Sequence, residues 1–241
     1  MCSDTKSNLS PPAKIIDLSH TLYNGMPSWP THPQPSFEQT LWTARDGYAL
    51  TLLKRMTTHT GTHVDVPAHF IAEGKKVSDI PIEKFVGAGV VLDLSPRRSG
   101  EEIGVGALEQ FDEQIQRGDV VMLHTGWDKK RAMTSEYLFE WPYLGLDAAN
   151  HLASKGVKAV GTDCLSIAGW AGSVAAHGPV TTSSPSEVHK ALLSQEILII
   201  EELAHLDLVL AGSKSRRAWF CFAPLNVIGA DGGPCRAVAL T

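Results

Sequence analysis

Between residues 59 and 70 the chain reads His59-Thr-Gly-Thr-His63-Val-Asp65-Val-Pro-Ala-His69-Phe70. Four side chains able to bind a metal or move a proton fall at odd positions. Side chains alternate between faces in extended backbone, so His59, His63, Asp65 and His69 would share one face. Fully extended, they would spread over roughly 33 Å, beyond the reach of one ion. The chain must therefore bend, and Gly61 and Pro67 are the residues that allow it. A helix would also bring His59 and His63 together, but Gly61, Pro67 and the β-branched Thr62, Val64 and Val66 oppose one. The plainer alternative is a strand whose histidines satisfy core polar groups. It suits one histidine better than three in phase with an aspartate.

Carboxylate and imidazole ligands suit Zn2+ or Mn2+, whereas Mg2+ or Ca2+ sites are dominated by oxygen. His63 and Asp65 can turn onto one ion, and a bend at Gly61 admits His59. Three protein ligands leave a coordination position open, as catalytic sites do. His69, beyond Pro67, either completes the shell or acts as a base toward an activated water. Glu201 ends an apolar strand and needs a partner if buried. Glu202 beside it could take the same part, and alone each reads as a strand-end residue facing solvent. His189, taken alone, reads as an ordinary helix residue.

The 241 residues suit one α/β domain of generous size, with 43% apolar and 20% charged residues to build a core. Net charge is −5, and the longest basic run is Lys129-Lys130-Arg131. Neither feature suits a phosphate-tracking surface, so nucleic acid is not expected. The four cysteines form no C-x-x-C pair or disulfide spacing. Residues 1–13 form a polar leader without the apolar stretch of a signal peptide, and no run is long enough for a membrane helix. A cytoplasmic setting is expected, with Cys164 a buried inert thiol. No G-x-S-x-G elbow supports acyl transfer by serine.

Along the chain, strands are expected at 14–19, 36–44, 48–57, 89–94, 119–124, 157–161, 197–201, 217–223 and 235–240. Asp46-Gly47 reads as a hairpin turn, and 229–234 reads as a turn. Helices are expected at 106–116 and 147–155. A third starts at a capping box, Ser184-Pro185-Ser186-Glu187, and runs to about Ser194. Prolines 27, 30, 33 and 35 make a stiff loop around Trp29, either an ordinary surface loop or a substrate wall. Residues 163–183 form a long loop, functional or mobile. Strands joined partly by hairpins and partly by helices indicate a mixed-sheet α/β domain over 14–241.

The segment His59-x-Gly-Thr-His63-x-Asp65-x-Pro-x-His69-Phe also resembles in full the signature of the cyclase-like metal-dependent hydrolases, which include bacterial kynurenine formamidase and isatin hydrolase. Asp17-Leu-Ser and Met26-Pro-x-Trp29-Pro resemble the family's opening. Gly161-Thr-Asp163, His189 with Glu201 twelve residues on, and Pro224-Leu to Pro234-x-Arg236-Ala-Val resemble its second half. The resemblance implies a swivelling β/β/α fold, usually oligomeric. It implies that His59, His63 and Asp65 bind one metal, and that Asp65, His189 and Glu201 bind a second where two are present, Glu201 reaching both. His69 takes the place of the catalytic proton carrier, and Trp29 that of an aromatic substrate contact. The implied activity is arylformamidase-like hydrolysis of a small amide, as in tryptophan catabolism. The alternatives are ring-opening of a cyclic imide, isatin-like lactam or lactone, and a metal-binding protein without catalysis. Thr31 stands where the formamidases tend to have glycine after Trp-Pro, and the leader and the 163–183 loop are longer. These departures bear on the substrate and leave the ligands untouched.

Overall fold

The computed structural model describes residues 14–174, 177–181 and 184–241; the expected leader lies outside them. Among the described residues there are thirteen strands: β1 (Ile15–Asp17), β2 (Ser36–Leu41), β3 (Leu50–Lys54), β4 (His63–Asp65), β5 (Val86–Asp93), β6 (Glu102–Ile103), β7 (Val120–His124), β8 (Tyr143–Leu144), β9 (Ala159–Thr162), β10 (Leu198–Glu201), β11 (Ser215–Cys221), β12 (Gly232–Pro234) and β13 (Val238–Leu240). The α-helices are α1 (Thr43–Asp46), α2 (Gly106–Glu109), α3 (Ser135–Phe139), α4 (Leu146–Ser154), α5 (Pro185–Leu193) and α6 (Leu206–Leu210). Nine strands form one sheet in the order β1-β13-β11-β5-β7-β9-β10-β4-β12. Its centre, β5-β7-β9-β10, is parallel and linked through helices, while the outer pairings are antiparallel. This is the expected mixed-sheet α/β architecture.

Alternation along the strands divides the core into two faces. Val120, Met122, Leu198, Ile200 and Val64 point to one side, packing with Leu206, Val209 and Leu210 of α6. Val121, Leu123, Val160 and Ile199 point to the other, beneath α4 and α5 through Leu152 and Leu192. Each wholly buried aliphatic side chain adds about 1.5–3 kcal/mol relative to exposure. Because the period is two, burying Val64 on the first side commits His63 and Asp65 to the second.

Several expected boundaries change. The hairpin of 36–44 and 48–57 exists as β2 and β3, but a helical turn, α1, joins them and closes on Gly47 at φ 81°. The helix expected over 106–116 is regular only through α2. It continues as hydrogen-bonded turns that still bury Leu108, Phe111 and Ile115. Ser184 does not cap α5 with its side chain, since its hydroxyl pairs with that of Ser186 at 2.8 Å. The expected turn over 229–234 ends in β12, which pairs with β4. The 163–183 loop begins as core rather than as a mobile segment, for residues 163–170 are all buried.

Candidate metal centre and catalytic cavity

The carboxyl ends of β9 and β10 and the start of β4 meet at one edge of the sheet. Antiparallel register sets His63 opposite Glu201 and Asp65 opposite Ile199, so His63, Asp65 and Glu201 lie on one face. Gly61, at φ +62°, makes the expected bend. A Cβ there would lie 2.4 Å from Leu22 Cδ2, so Leu22 would have to shift, and the positive φ itself favours glycine. After Asp65, a single 3-10 turn over Pro67–His69 brings His69 back over the site. All four motif side chains therefore converge, and His189 joins them from α5.

The hydrogen bonds fix which imidazole nitrogens are available. His63 Nδ1 donates to the Gly61 carbonyl at 2.7 Å, and His189 Nδ1 to the Pro185 carbonyl at 2.8 Å. In the neutral rings each Nε2 is then a lone pair. His63 Nε2 nevertheless faces Asp65 Oδ1 at 3.3 Å and Glu201 Oε2 at 3.5 Å. His189 Nε2 faces Glu201 Oε1 at 3.4 Å and Asp65 Oδ2 at 3.8 Å. His63 Nε2 and Asp65 Oδ2 are buried without a hydrogen-bond partner. Acceptors facing acceptors in a buried site need a cation between them, and imidazole with carboxylate is a donor set that fits Zn2+ or Mn2+. Ser166 Oγ and the Ile167 amide donate to Glu201 Oε1 at 2.8 and 2.7 Å, orienting that carboxylate from the buried 163–170 segment.

His59 lies between two carboxylates, with Nδ1 2.8 Å from Asp65 Oδ1 and Nε2 3.0 Å from Asp231 Oδ2. Burial disfavours its charged form, but Asp65 and Asp231 outweigh burial and raise its pKa to about 10. Burial likewise opposes charge on His63 and on His189; Asp65 raises the first and Glu201 the second. Burial alone would raise Asp65, yet His59 and His63 hold it well below the usual carboxylate range. The carboxylates thus favour positive charge at the facing imidazoles, and a bound metal would supply it in place of protons. His69 differs. Burial, with the neighbouring imidazoles His59 and His189, lowers its pKa despite the pull of Asp65 and Asp231, so it is neutral at neutral pH.

These groups floor a cavity of about 180 Å³ walled by Trp29, His32, Phe70 and Leu165, on the scale of a small molecule rather than a polymer. Trp29 packs against Trp141 and Trp170 at ring separations of 5.7 and 5.2 Å, and Phe70 stacks on His189 at 4.3 Å. Glu202 lines the cavity but turns from the ligand cluster to Arg131, 3.4 Å away. Cys164 is wholly buried, and burial beside Asp163 raises its thiol well above the usual value, so it is inert as expected. Among the described residues no helix is long and apolar enough to cross a membrane.

Of the site residues expected from the sequence, Trp29, His59, His63, His69, His189 and Glu201 line this cavity, and Asp65 is buried against His59, His63 and His189. Sequence reasoning missed His32, Phe70, Ser166 and above all Asp231. The only trace of Asp231 is an acidic residue among glycines in a segment read as a turn.

The model of a family described as putative cyclase matches residues 16–168. Kynurenine formamidase of Bacillus anthracis is 33% identical over 228 residues, covering 94% of this chain and 97% of its own length. That of Erythrobacter litoralis is 30% identical over 226 residues, covering 93% of each. Among solved structures, isatin hydrolase A of Labrenzia aggregata superposes with a TM-score of 0.78 at 25% identity, over 94% of this chain and 93% of that one. A protein described as a potential metal-dependent hydrolase with cyclase activity gives 0.72 at 28%, over 94% and 96%. The ligand motif, the sheet that presents it and these end-to-end matches agree, and the chain belongs to the cyclase family.

Proposed function

We propose that this chain is a metal-dependent hydrolase of a small amide C–N bond, with arylformamidase action on N-formylkynurenine as its first assignment. The observation that carries the reading is the set of opposed acceptors, His63 Nε2 and His189 Nε2 against Asp65 and Glu201, on the floor of a small aromatic-walled cavity. Support for the substrate comes from the kynurenine formamidases, similar over nearly their whole length.

In this reading His59, His63 and Asp65 would hold one Zn2+ or Mn2+, and Asp65, His189 and Glu201 would hold a second where two are bound. A divalent cation there supplies Lewis acidity, polarising a carbonyl and bringing the pKa of water to about 7. The chain's own residues do the rest. Trp29 and Phe70 flank an aromatic substrate and exclude water. His69, neutral and at the cavity, takes a proton from the attacking water and returns it to the leaving nitrogen. Ser166 and the Ile167 amide keep Glu201 directed at the site. Ring-opening of an isatin-like lactam uses the same steps, and the likeness to isatin hydrolase A favours it as second reading.

The chain is assigned to the cytoplasm on its cysteine pattern and to a homo-oligomer, dimer or tetramer. Every residue of β3 is exposed, including Leu50, Leu52 and Leu53, beside Trp42 and Tyr48. That exposed apolar hairpin suits a second copy.

The test is turnover of N-formylkynurenine, isatin, cyclic imides and lactones by protein loaded with Zn2+ or Mn2+, read by product mass. Deformylation releases two products, whereas ring-opening releases one. His69→Ala is expected to keep its metal and to lose about 10²–10⁴-fold in kcat. An unchanged rate would refute the role given to His69. Tight metal with no turnover of any substrate would refute the enzyme.

A further inference from the structure

We propose that Asp231 is a positioning residue, whose carboxylate holds His69 with its proton on Nδ1 and its Nε2 lone pair available in the catalytic cavity. Asp231 leads into β12, at the edge of the sheet beside the ligand strand β4. Its backbone is anchored on both sides. The Val66 amide donates to the Asp231 carbonyl at 3.1 Å, and the Val77 amide to the Ala230 carbonyl at 2.9 Å. Gly232 permits the close approach: a Cβ there would lie 2.6 Å from the Val64 carbonyl oxygen and 3.0 Å from His59 Cε1.

The side chain is held as firmly. Thr58 Oγ1 donates to Oδ1 at 2.8 Å, which fixes the plane of the carboxylate. Oδ2 then lies 3.1 Å from His69 Nδ1 and 3.0 Å from His59 Nε2, and the two rings pack with centroids 3.9 Å apart. An ionised carboxylate only accepts, so both nitrogens must present N–H. In a neutral His69 this leaves Nε2 as the acceptor, and His69 is a lining residue of the cavity. A residue chosen only to close a turn needs none of this, since Thr58 alone would satisfy it. The same oxygen fixes His59 with its proton on Nε2, leaving Nδ1 as the atom turned to Asp65. His59 would then face a metal through the opposite nitrogen from His63 and His189. Asp231 touches no reacting atom, and its effect passes through two rings.

The kinetic arm rests on the hydrolase reading, while the spectroscopic arm does not. Long-range 1H–15N spectra of 15N-histidine protein loaded with Zn2+ report the tautomer of each ring, with His69 identified by its loss in His69→Gln. The expected spectrum shows His69 protonated at Nδ1 in the unaltered chain and shifted toward Nε2–H in Asp231→Asn. An amide can offer its NH2 to Nδ1 and stabilise the wrong tautomer, as in a Ser-His-Asp triad with the acid amidated. In turnover, Asp231→Asn is expected to lose about 10–100-fold in kcat per bound metal ion, with KM held near its original value. Nε2–H on His69 in the unaltered chain would overturn the proposal, as would an unchanged kcat in Asp231→Asn. Loss of metal with full turnover per remaining ion would confine Asp231 to His59 and also overturn it. Should Asp231→Asn fail to fold, the spectrum of the unaltered chain still decides the matter, since Nε2–H on His69 there overturns the proposal. Absence of turnover in the unaltered protein would count against the hydrolase reading and leave the tautomer measurement to decide this one.

Discussion

Two buried groups of imidazole and carboxylate lie along the same edge of the sheet, and they differ in what their polar atoms face. The first is the cluster of His63, Asp65 and Glu201 with His189. The second is His124, Asp128 and Asp163, at the ends of β7 and β9, equally close together and equally buried. The difference lies in their donors. Asp163 accepts from the Thr125 amide, the Thr125 hydroxyl and the Gly126 amide at 2.6–3.0 Å. His124 Nδ1 is engaged by Asp93 at 3.2 Å, and Asp128 Oδ2 accepts from the His205 amide at 3.1 Å. One unpartnered oxygen remains there, Asp128 Oδ1. In the first cluster the imidazole lone pairs face carboxylate oxygens directly. Proximity of ligating residues is therefore a poor guide to a metal site, and the pairing of donors with acceptors is a better one.

The comparison breaks most visibly at His63. His63→Ala is expected to lower metal stoichiometry and to cost about a thousandfold or more in turnover, the several kcal/mol that a Lewis acid supplies. Metal analysis beside the activity assay checks it, and full metal in this variant would erase the distinction between the clusters. Asp163→Ala should do the opposite. It strands three buried donors, at roughly 1–3 kcal/mol each, so urea unfolding should register several kcal/mol of lost stability with metal stoichiometry unchanged. Loss of metal at unchanged stability would make the second cluster a ligand site too.

The smallest effect is in acid. Burial tends to raise Asp93, but Lys214, Ser95 and His124 outweigh it and hold it far below its ordinary 3.8. The unfolded chain then binds the proton first as pH falls, so the stabilisation is complete above about pH 4 and is lost below it. Asp93→Asn is expected to flatten the fall in urea midpoint between about pH 4 and pH 2. An equally steep fall would show that the Asp93 contacts contribute nothing to acid stability.

Much of the site was legible because its ligands are local. His59, His63, Asp65 and His69 lie within eleven residues whose alternation and bends can be read directly, and Gly61 turns as its position suggested. His189 and Glu201 gained meaning only from resemblance, since a helix histidine and a strand-end glutamate carry no pattern of their own. Asp231 and Ser166 escaped both routes. Both act through side-chain contacts across long loop closures, Asp231 with residues 172 and 162 positions earlier and Ser166 with one 35 positions later, and no periodicity records such pairings. The helix expected over 106–116 shows the converse error, because apolar spacing survives in turns that are not continuous helix.

The sequence by itself determined the mixed α/β class, the face on which the ligands stand and the bends that gather them. Steric limits at glycine and proline and the two-residue period of a strand act at short range and leave a trace in the order of residues. The tertiary structure decided in which of two buried clusters imidazole nitrogens face carboxylate oxygens without intervening donors, and which distant carboxylate holds His69. Those outcomes depend on where hydrogen-bond donors arrive from elsewhere in the chain, and only the packed sheet brings them into reach.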